Sequence, residues 1–371
     1  MSDAWDEEIT YQLSLLKAGN GSDESFEPPL SKLQMIEKFE PPDWLIDGML
    51  QRRFIYALTG QTGHAKTAIA LLIAVLAARG GNFAGHQVEQ GSVGYLVGEN
   101  PDDVTARLIG QDEIAVDDPI YFYKGIFDIE ARFEKLQRGF GVIGGIDLLI
   151  VDTSAAYFNF PDENSNADIG KHARMLRRLT ELPGEPCVLV LCHPVKYVTD
   201  VDHLLPRGGG AFLNEMDGNL TLRRLSDAII ELHHNKIRGP GFEPLNFRLE
   251  RVTREKLVDS KGRSMPTVRA EPISNAEAET EAGRAYDEDD SLLRVMLKEP
   301  DLTMVKIAER CGWYFADGQP HTTRVQRTLL RLDKDKLVKK PRHGTYELTE
   351  TGKAEARKIA IKHEHRENFI D

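Results

Sequence analysis

Eight consecutive residues, Gly60-Gln61-Thr62-Gly63-His64-Ala65-Lys66-Thr67, carry the strongest chemistry in the chain. They follow an apolar run, Phe54 to Leu58, and open another, Ala68 to Ala78, long enough for three helical turns. Strand, glycine loop, helix is the order of G-x-x-x-x-G-K-[ST]. Backbone N–H groups of the loop and the positive end of the helix make a pocket for phosphate oxygens. In that pattern Lys66 reaches the β- and γ-phosphates of ATP, and the Thr67 hydroxyl holds Mg²⁺. Gly60 to Thr67 are thus the candidate nucleotide-binding residues. Ala65 departs from the pattern, standing where the second glycine is expected, and its methyl narrows the room for phosphate. The bland alternative is an ordinary glycine turn before a buried helix.

Three further polar residues end apolar strands. Val93 to Val97 leads to Glu99, Ile146 to Val151 leads to Asp152, and Pro186 to Cys192 leads to His193. Ligands of an open α/β sheet gather at the carboxyl ends of its strands. There Glu99 is placed to polarise a water for attack on the γ-phosphate, although Asn100-Pro101-Asp102-Asp103 also allows a helix-initiating role. Asp152 has the Walker B position, where an aspartate binds the water shell of Mg²⁺; its alternative is a turn cap. His193 is either a γ-phosphate sensor or a satisfied structural histidine.

Downstream, Lys196 to Ala211 holds Arg207-Gly208-Gly209-Gly210, three glycines with basic residues near both ends. This suits a switch loop or a nucleic-acid contact by Lys196 and Arg207, or else a plain connection. Lys236 and Arg238 are one residue apart and project to one side of an extended chain, so they can address one polyanion together. His233-His234 lacks a third ligand at metal spacing.

These residues need a sheet to align them, and the composition allows one. The chain has 371 residues, a net charge of −12 and 41% hydrophobic residues, which is enough for two globular domains and argues against a general nucleic-acid coat. Cys187, Cys192 and Cys311 form no metal-ligand spacing and read as core residues of a reducing cytosol. No basic-then-apolar leader and no apolar stretch of about 20 residues is present, so a cytoplasmic protein with no membrane partner is expected. Pro41 to Leu50, with Trp44 among aliphatics, is either a wall beside a nucleotide base or a packing strap.

The motifs from Gly60 to Gly241, in this order, resemble the RecA-like ATPases, most closely the plasmid RepA-type hexameric helicase branch related to DnaB. The resemblance covers roughly residues 40 to 255. It implies an α/β fold with a RecA-like P-loop core, a mostly parallel sheet flanked by helices, and a homo-oligomeric hexameric ring with ATP and Mg²⁺ between subunits and single-stranded DNA in the pore. It further implies that Lys66 and Thr67 are the phosphate and Mg²⁺ ligands, Glu99 the catalytic carboxylate, Asp152 the Walker B acid and His193 the sensor. Lys236 and Arg238 resemble the lysine and arginine-finger pair inserted into a neighbour's site, and Arg207 is a second candidate for that role.

Residues 256–288 are charged and poor in apolar side chains and are expected to form an acidic linker after the ATPase domain of 41–255. Residues 1–40 read as a mobile acidic arm and 361–371 as a charged tail. Between them, 289–360 shows three helical patterns, Leu292 to Leu297, Met304 to Arg310 and Thr322 to Asp333, then two strands around a basic turn. This resembles a small winged helix-turn-helix domain. Arg324 and Arg327 would lie on its recognition helix and Lys339, Lys340 and Arg342 on its wing, facing DNA phosphates; the alternative is a protein-docking module. Three functions remain in view. They are a RepA-like helicase or replication motor, an ATP-dependent regulatory switch or loader that does not translocate, and a scaffold that binds but hardly hydrolyses ATP.

Overall fold

The computed structural model describes residues 29–111, 118–163, 165–195, 204–226, 228–315, 317–341 and 345–367. The chain divides into two compact units, Met1–Asp43 and Trp44–Asp371. In the first, helix α1 (Lys32–Glu37) opens with a capping box between Ser31 and Gln34 and buries none of its side chains.

The second unit begins with β1 (Trp44–Ile46), β2 (Leu50–Gln51) and β3 (Ile55–Gly60), followed by α2 (Lys66–Arg79). Next come β4 (Gly81–Phe83), β5 (His86–Val88), β6 (Val93–Val97), α3 (Pro101–Gln111), β7 (Ile120–Lys124) and α4 (Ile129–Val142). Then follow β8 (Leu148–Asp152), α5 (Asn166–Arg177), β9 (Cys187–Cys192), α6 (Gly209–Leu213), β10 (Gly218–Arg224), β11 (Ile229–Ile237), β12 (Leu245–Val252) and β13 (Thr267–Ile273). Strands β1, β2, β4 and β5 form a small separate sheet. The nine others form one sheet in the order β13-β12-β11-β10-β3-β9-β8-β6-β7. From β10 to β7 every neighbouring pair is parallel, and β11 to β13 extend the edge in antiparallel fashion.

The two-residue period of the strands divides the core into two layers. Tyr56, Leu58, Tyr95, Ile150 and Leu189 face α2, whereas Ile55, Ala57, Leu96, Leu149, Val151 and Val190 face α4 and α5. Both faces are covered, so the central strands are continuous apolar runs. Leu45, Ile46, Met49 and Leu50 are buried in the α2 layer, and Trp44 lies against Gly239 near the amino end of β3. Of the two roles expected for this segment, the strap is the one observed.

The expected linker is where sequence and structure part most clearly. Residues 267–273 are β13, paired along its length with β12, and residues 275–298 are one helix, α7 (Asn275–Lys298), capped by Ser274 and Glu277. Alternate residues of β13 are polar because an edge strand keeps one side wet, and this conceals it in a composition profile. Arg248 of β12 pairs with Glu281, and Asn246 donates to Asn275, which fixes α7 to the sheet.

The carboxyl half of α7 then joins a second core with α8 (Met304–Arg310), α9 (Thr322–Lys334), the hairpin β14 (Val338–Lys339) and β15 (Glu347–Leu348), and α10 (Glu350–Glu367). Leu292, Leu293, Ile307, Trp313, Val325, Leu329 and Leu332 fill it. The acids of α7 staple α9. Asp289 takes Arg331 through both carboxylate oxygens at 2.9 and 3.0 Å, with both partners about 15% exposed, and Glu288 takes Arg324 at 2.8 Å. Removing one partner leaves a largely desolvated charge behind. Asp289→Ala is expected to destabilise the module by about 2 kcal/mol or more in urea unfolding, with the change confined to residues 289–360.

Candidate functional site

The carboxyl ends of β3, β6, β8 and β9 bring the expected residues together. β3 ends at Gly60, and α2 begins at Lys66. The loop between them turns through Gly63 and Ala65, with φ of 82° and 61°. Ala65 therefore occupies the left-handed region at the helix N-cap, the conformation that glycine adopts most easily. This gives the missing second glycine a backbone cost of about 1 kcal/mol in addition to its methyl group. Lys66 is buried; its ammonium folds over the loop, donating to the carbonyls of Gly60 at 2.7 Å and Gln61 at 3.3 Å. Burial lowers its pKa, opposed chiefly by the Asp152 carboxylate.

Asp152 is 3% exposed. One of its oxygens accepts from Thr67 Oγ1 at 3.1 Å and from the Tyr95 hydroxyl at 2.8 Å. Burial raises the Asp152 carboxyl to about 6, while those two hydrogen bonds pull the other way. A hydroxyl and a carboxylate in contact form a hard-oxygen pair that suits Mg²⁺, which completes its shell with water and phosphate. Among the described residues no cluster of three His, Cys, Asp or Glu forms a self-sufficient metal cage.

Glu99 is half exposed and accepts from the Thr153 hydroxyl at 2.6 Å. The backbone N–H groups of Gly98 and Glu99 both donate to the Asp152 carbonyl, so the ends of β6 and β8 are joined behind the carboxylates. His193 Nε2 lies 4.0 Å from Glu99. Burial lowers the His193 pKa and Lys66 adds to the effect, which favours the neutral ring. Lys66, Thr67, Asp152, Glu99 and His193 therefore form one constellation. His64 points elsewhere, with Nδ1 3.2 Å from the Leu222 carbonyl.

His193 also borders a cavity of about 230 Å³, lined by Ser154, Phe158, His172, Cys192, Arg207 and Phe212 among others. The Arg207 backbone N–H donates to the His193 carbonyl, and its guanidinium pairs with Glu163 at 2.9 Å. Arg207 is thus beside His193 of its own chain. His172 is buried, with Nε2 3.0 Å from Ser154 Oγ, and burial lowers its pKa to about 4.

Lys236 and Arg238 stand apart from this constellation. The end of β11 pairs with the beginning of β10, so both lie at the amino end of β3, a strand length of about 17 Å from the P-loop. Both are held by one segment of the same chain: Lys236 donates to the Leu213 carbonyl and Arg238 to the Asp217 carboxylate.

In the second core Arg324 is held by Glu288 and lies 4.6 Å over the Trp313 ring, so it does not present a free guanidinium; Arg327 is exposed. Lys339 lies 3.5 Å from Glu347, and Lys340 lies over Tyr346. Lys196 and Arg342 fall outside the described residues.

Sequence reasoning missed Tyr95, Thr153, Asp217 and Arg224. Tyr95 had a signal: a tyrosine inside an aliphatic strand needs a partner for its hydroxyl. Arg224 donates to the Gly63 carbonyl at 3.2 Å and braces the P-loop from β10, which only the strand order reveals.

Residues 23–197 match the family model of the AAA domain. No curated protein matches the chain. Together with the geometry, the match supports an ATPase of the P-loop type.

Two outcomes follow from the strained loop and the buried imidazole. Ala65→Gly is expected to raise stability by at most about 0.5 kcal/mol, the left-handed cost less the added chain entropy, whereas Ala65→Val should lower it; chemical denaturation reads both. For His172 the folded-state pKa lies below the ordinary 6.5, so the unfolded chain binds the proton first. Stability is full above pH 6.5 and falls by about 3 kcal/mol as pH drops toward 4. Denaturation midpoints across that window should lose this part of their slope in His172→Phe.

Proposed function

We propose that this chain is an ATP-driven motor acting on DNA, a cytoplasmic helicase or replication protein of the RepA-type hexameric branch. The observation that carries this reading is the separation of two half-sites on one sheet. Lys66, Thr67, Asp152, Glu99 and His193 stand at the carboxyl ends of the strands, while Lys236 and Arg238 stand at the amino end of β3, beyond reach of their own nucleotide. Each subunit then needs a neighbour, as in a ring.

In that assembly Lys66 and the loop N–H groups hold the phosphates. Thr67, and Asp152 through water, would hold Mg²⁺, which would neutralise phosphate charge. Glu99 accepts the proton of the attacking water, and Thr153 fixes its carboxylate. His193 contacts the γ-phosphate side, and its carbonyl bond to Arg207 passes loss of that phosphate to the glycine loop. The neighbour's Lys236 and Arg238 stabilise charge on the transferring group. Arg207, beside its own His193, suits the loop's response better than the finger role.

One observation favours a second reading, a switch that assembles with ATP but does not unwind. The acids of α7 occupy Arg324 and Arg331, so the winged helix-like module offers less positive charge than its sequence suggests and suits a protein partner.

Steady-state ATP hydrolysis with and without single-stranded DNA separates the two. The motor predicts DNA-stimulated turnover that Lys66→Ala abolishes, with Glu99→Gln retaining ATP binding but not turnover. DNA-indifferent hydrolysis would select the switch, and wild-type turnover in Glu99→Gln would remove it as the base.

A further inference from the structure

Arg238 is 60% exposed, yet it is not free. Its Nη1 donates to Asp217 Oδ1 at 3.0 Å, and its backbone N–H donates to the Asp217 carbonyl at 2.8 Å. Asp217 itself is 2% exposed. Its second oxygen accepts from the Ile55 backbone N–H at 3.0 Å, and Oδ1 also accepts from Arg177 Nη2 at 3.0 Å. A carboxylate bound by a strand amide and by a guanidinium of another helix has little freedom left. Of the two guanidiniums on Asp217, that of Arg238 is the more exposed, 60% against 33% for Arg177.

We infer that Asp217 is a positioning residue for the arginine that acts on the neighbouring subunit's nucleotide; the inference rests on the finger role proposed above for Arg238. A guanidinium has five donors in a planar fork, so Nη1 can stay on Asp217 while Nη2 and Nε face a phosphate. The contact therefore need not break for the finger to work. It removes rotamer freedom that would otherwise be lost at each turnover. Lys236 is held on the same segment through the Leu213 carbonyl, so the two cations share one bracket, residues 213–217, which leaves α6 and hence the glycine loop. The Ile55 contact ties that bracket to the strand that ends in the subunit's own P-loop.

The role is tested by complementation. Asp217→Asn retains an acceptor for Ile55 but loses the charge that holds Arg238. Its ATP binding should be near wild type, with kcat reduced about tenfold to a hundredfold and KM for ATP little changed. Co-assembly with Lys66→Ala subunits, which lack a working P-loop but carry an intact bracket, should restore turnover. In an equal mixture about a quarter of interfaces would pair an intact P-loop with an intact finger. A defect confined to the variant's own folding or own nucleotide site would not be rescued this way. Arg238→Ala is run in parallel, and the double variant Asp217→Asn/Arg238→Ala should be no slower than Arg238→Ala alone.

Wild-type or raised turnover in Asp217→Asn, failure of Lys66→Ala to rescue it, or additive losses in the double variant would each overturn the inference. Wild-type turnover in Arg238→Ala would instead remove the finger role on which it rests. Should Asp217→Asn fail to fold, Arg238→Lys carries the test. A point-charge ammonium lacks the fork, so the same rescuable loss is expected, and unchanged turnover overturns the inference.

Discussion

A carboxylate that is almost wholly removed from water must be satisfied by its neighbours, and Asp152 draws the nucleotide site together because it is so placed. Tyr95 of β6 and Thr67 of α2 both reach it, so three elements far apart in sequence meet at one oxygen. An unpartnered buried charge is expensive, and here the Tyr95 and Thr67 hydroxyls supply the partners. The backbone does the rest: the Asp152 carbonyl accepts both Gly98 and Glu99 and thereby fixes where the candidate base begins.

Much of this was legible without coordinates. Glycine loop, apolar strand and strand-end acid each have a local cause, and the apolar runs of β3, β8 and β9 could belong only to a sheet covered on both faces. The lysine and arginine near the end of β11 were also visible as a pair. What they bind was not, because Asp217 lies before β10 and Arg177 on α5, and only the strand order makes them neighbours. The charged stretch after residue 255 misled for a different reason. Composition counts charges without regard to pairing, whereas Arg248–Glu281, Arg269–Glu250 and Arg331–Asp289 show that here they are internal ties.

The same pairing changes the meaning of the C-terminal module. Basic residues on a recognition helix suggest phosphate contacts, yet two of those on α9 are neutralised from within, by a helix continuous with the ATPase edge. Because α7 is anchored on β12 at one end and buried in the second core at the other, the two parts are joined by an ordered rod and not by a slack tether.

Strand β3 carries the P-loop at one end and, through Ile55 and Asp217, the segment that holds Lys236 and Arg238 at the other. A hydrogen-bonded strand in the middle of a sheet resists stretching, so the spacing between these two ends is a constant of the fold. A displacement at one end can then reach the other only by tilting the whole plate. Leverage governs how far the ends move, with the sheet as a stiff beam and the loops at either end as its pivots.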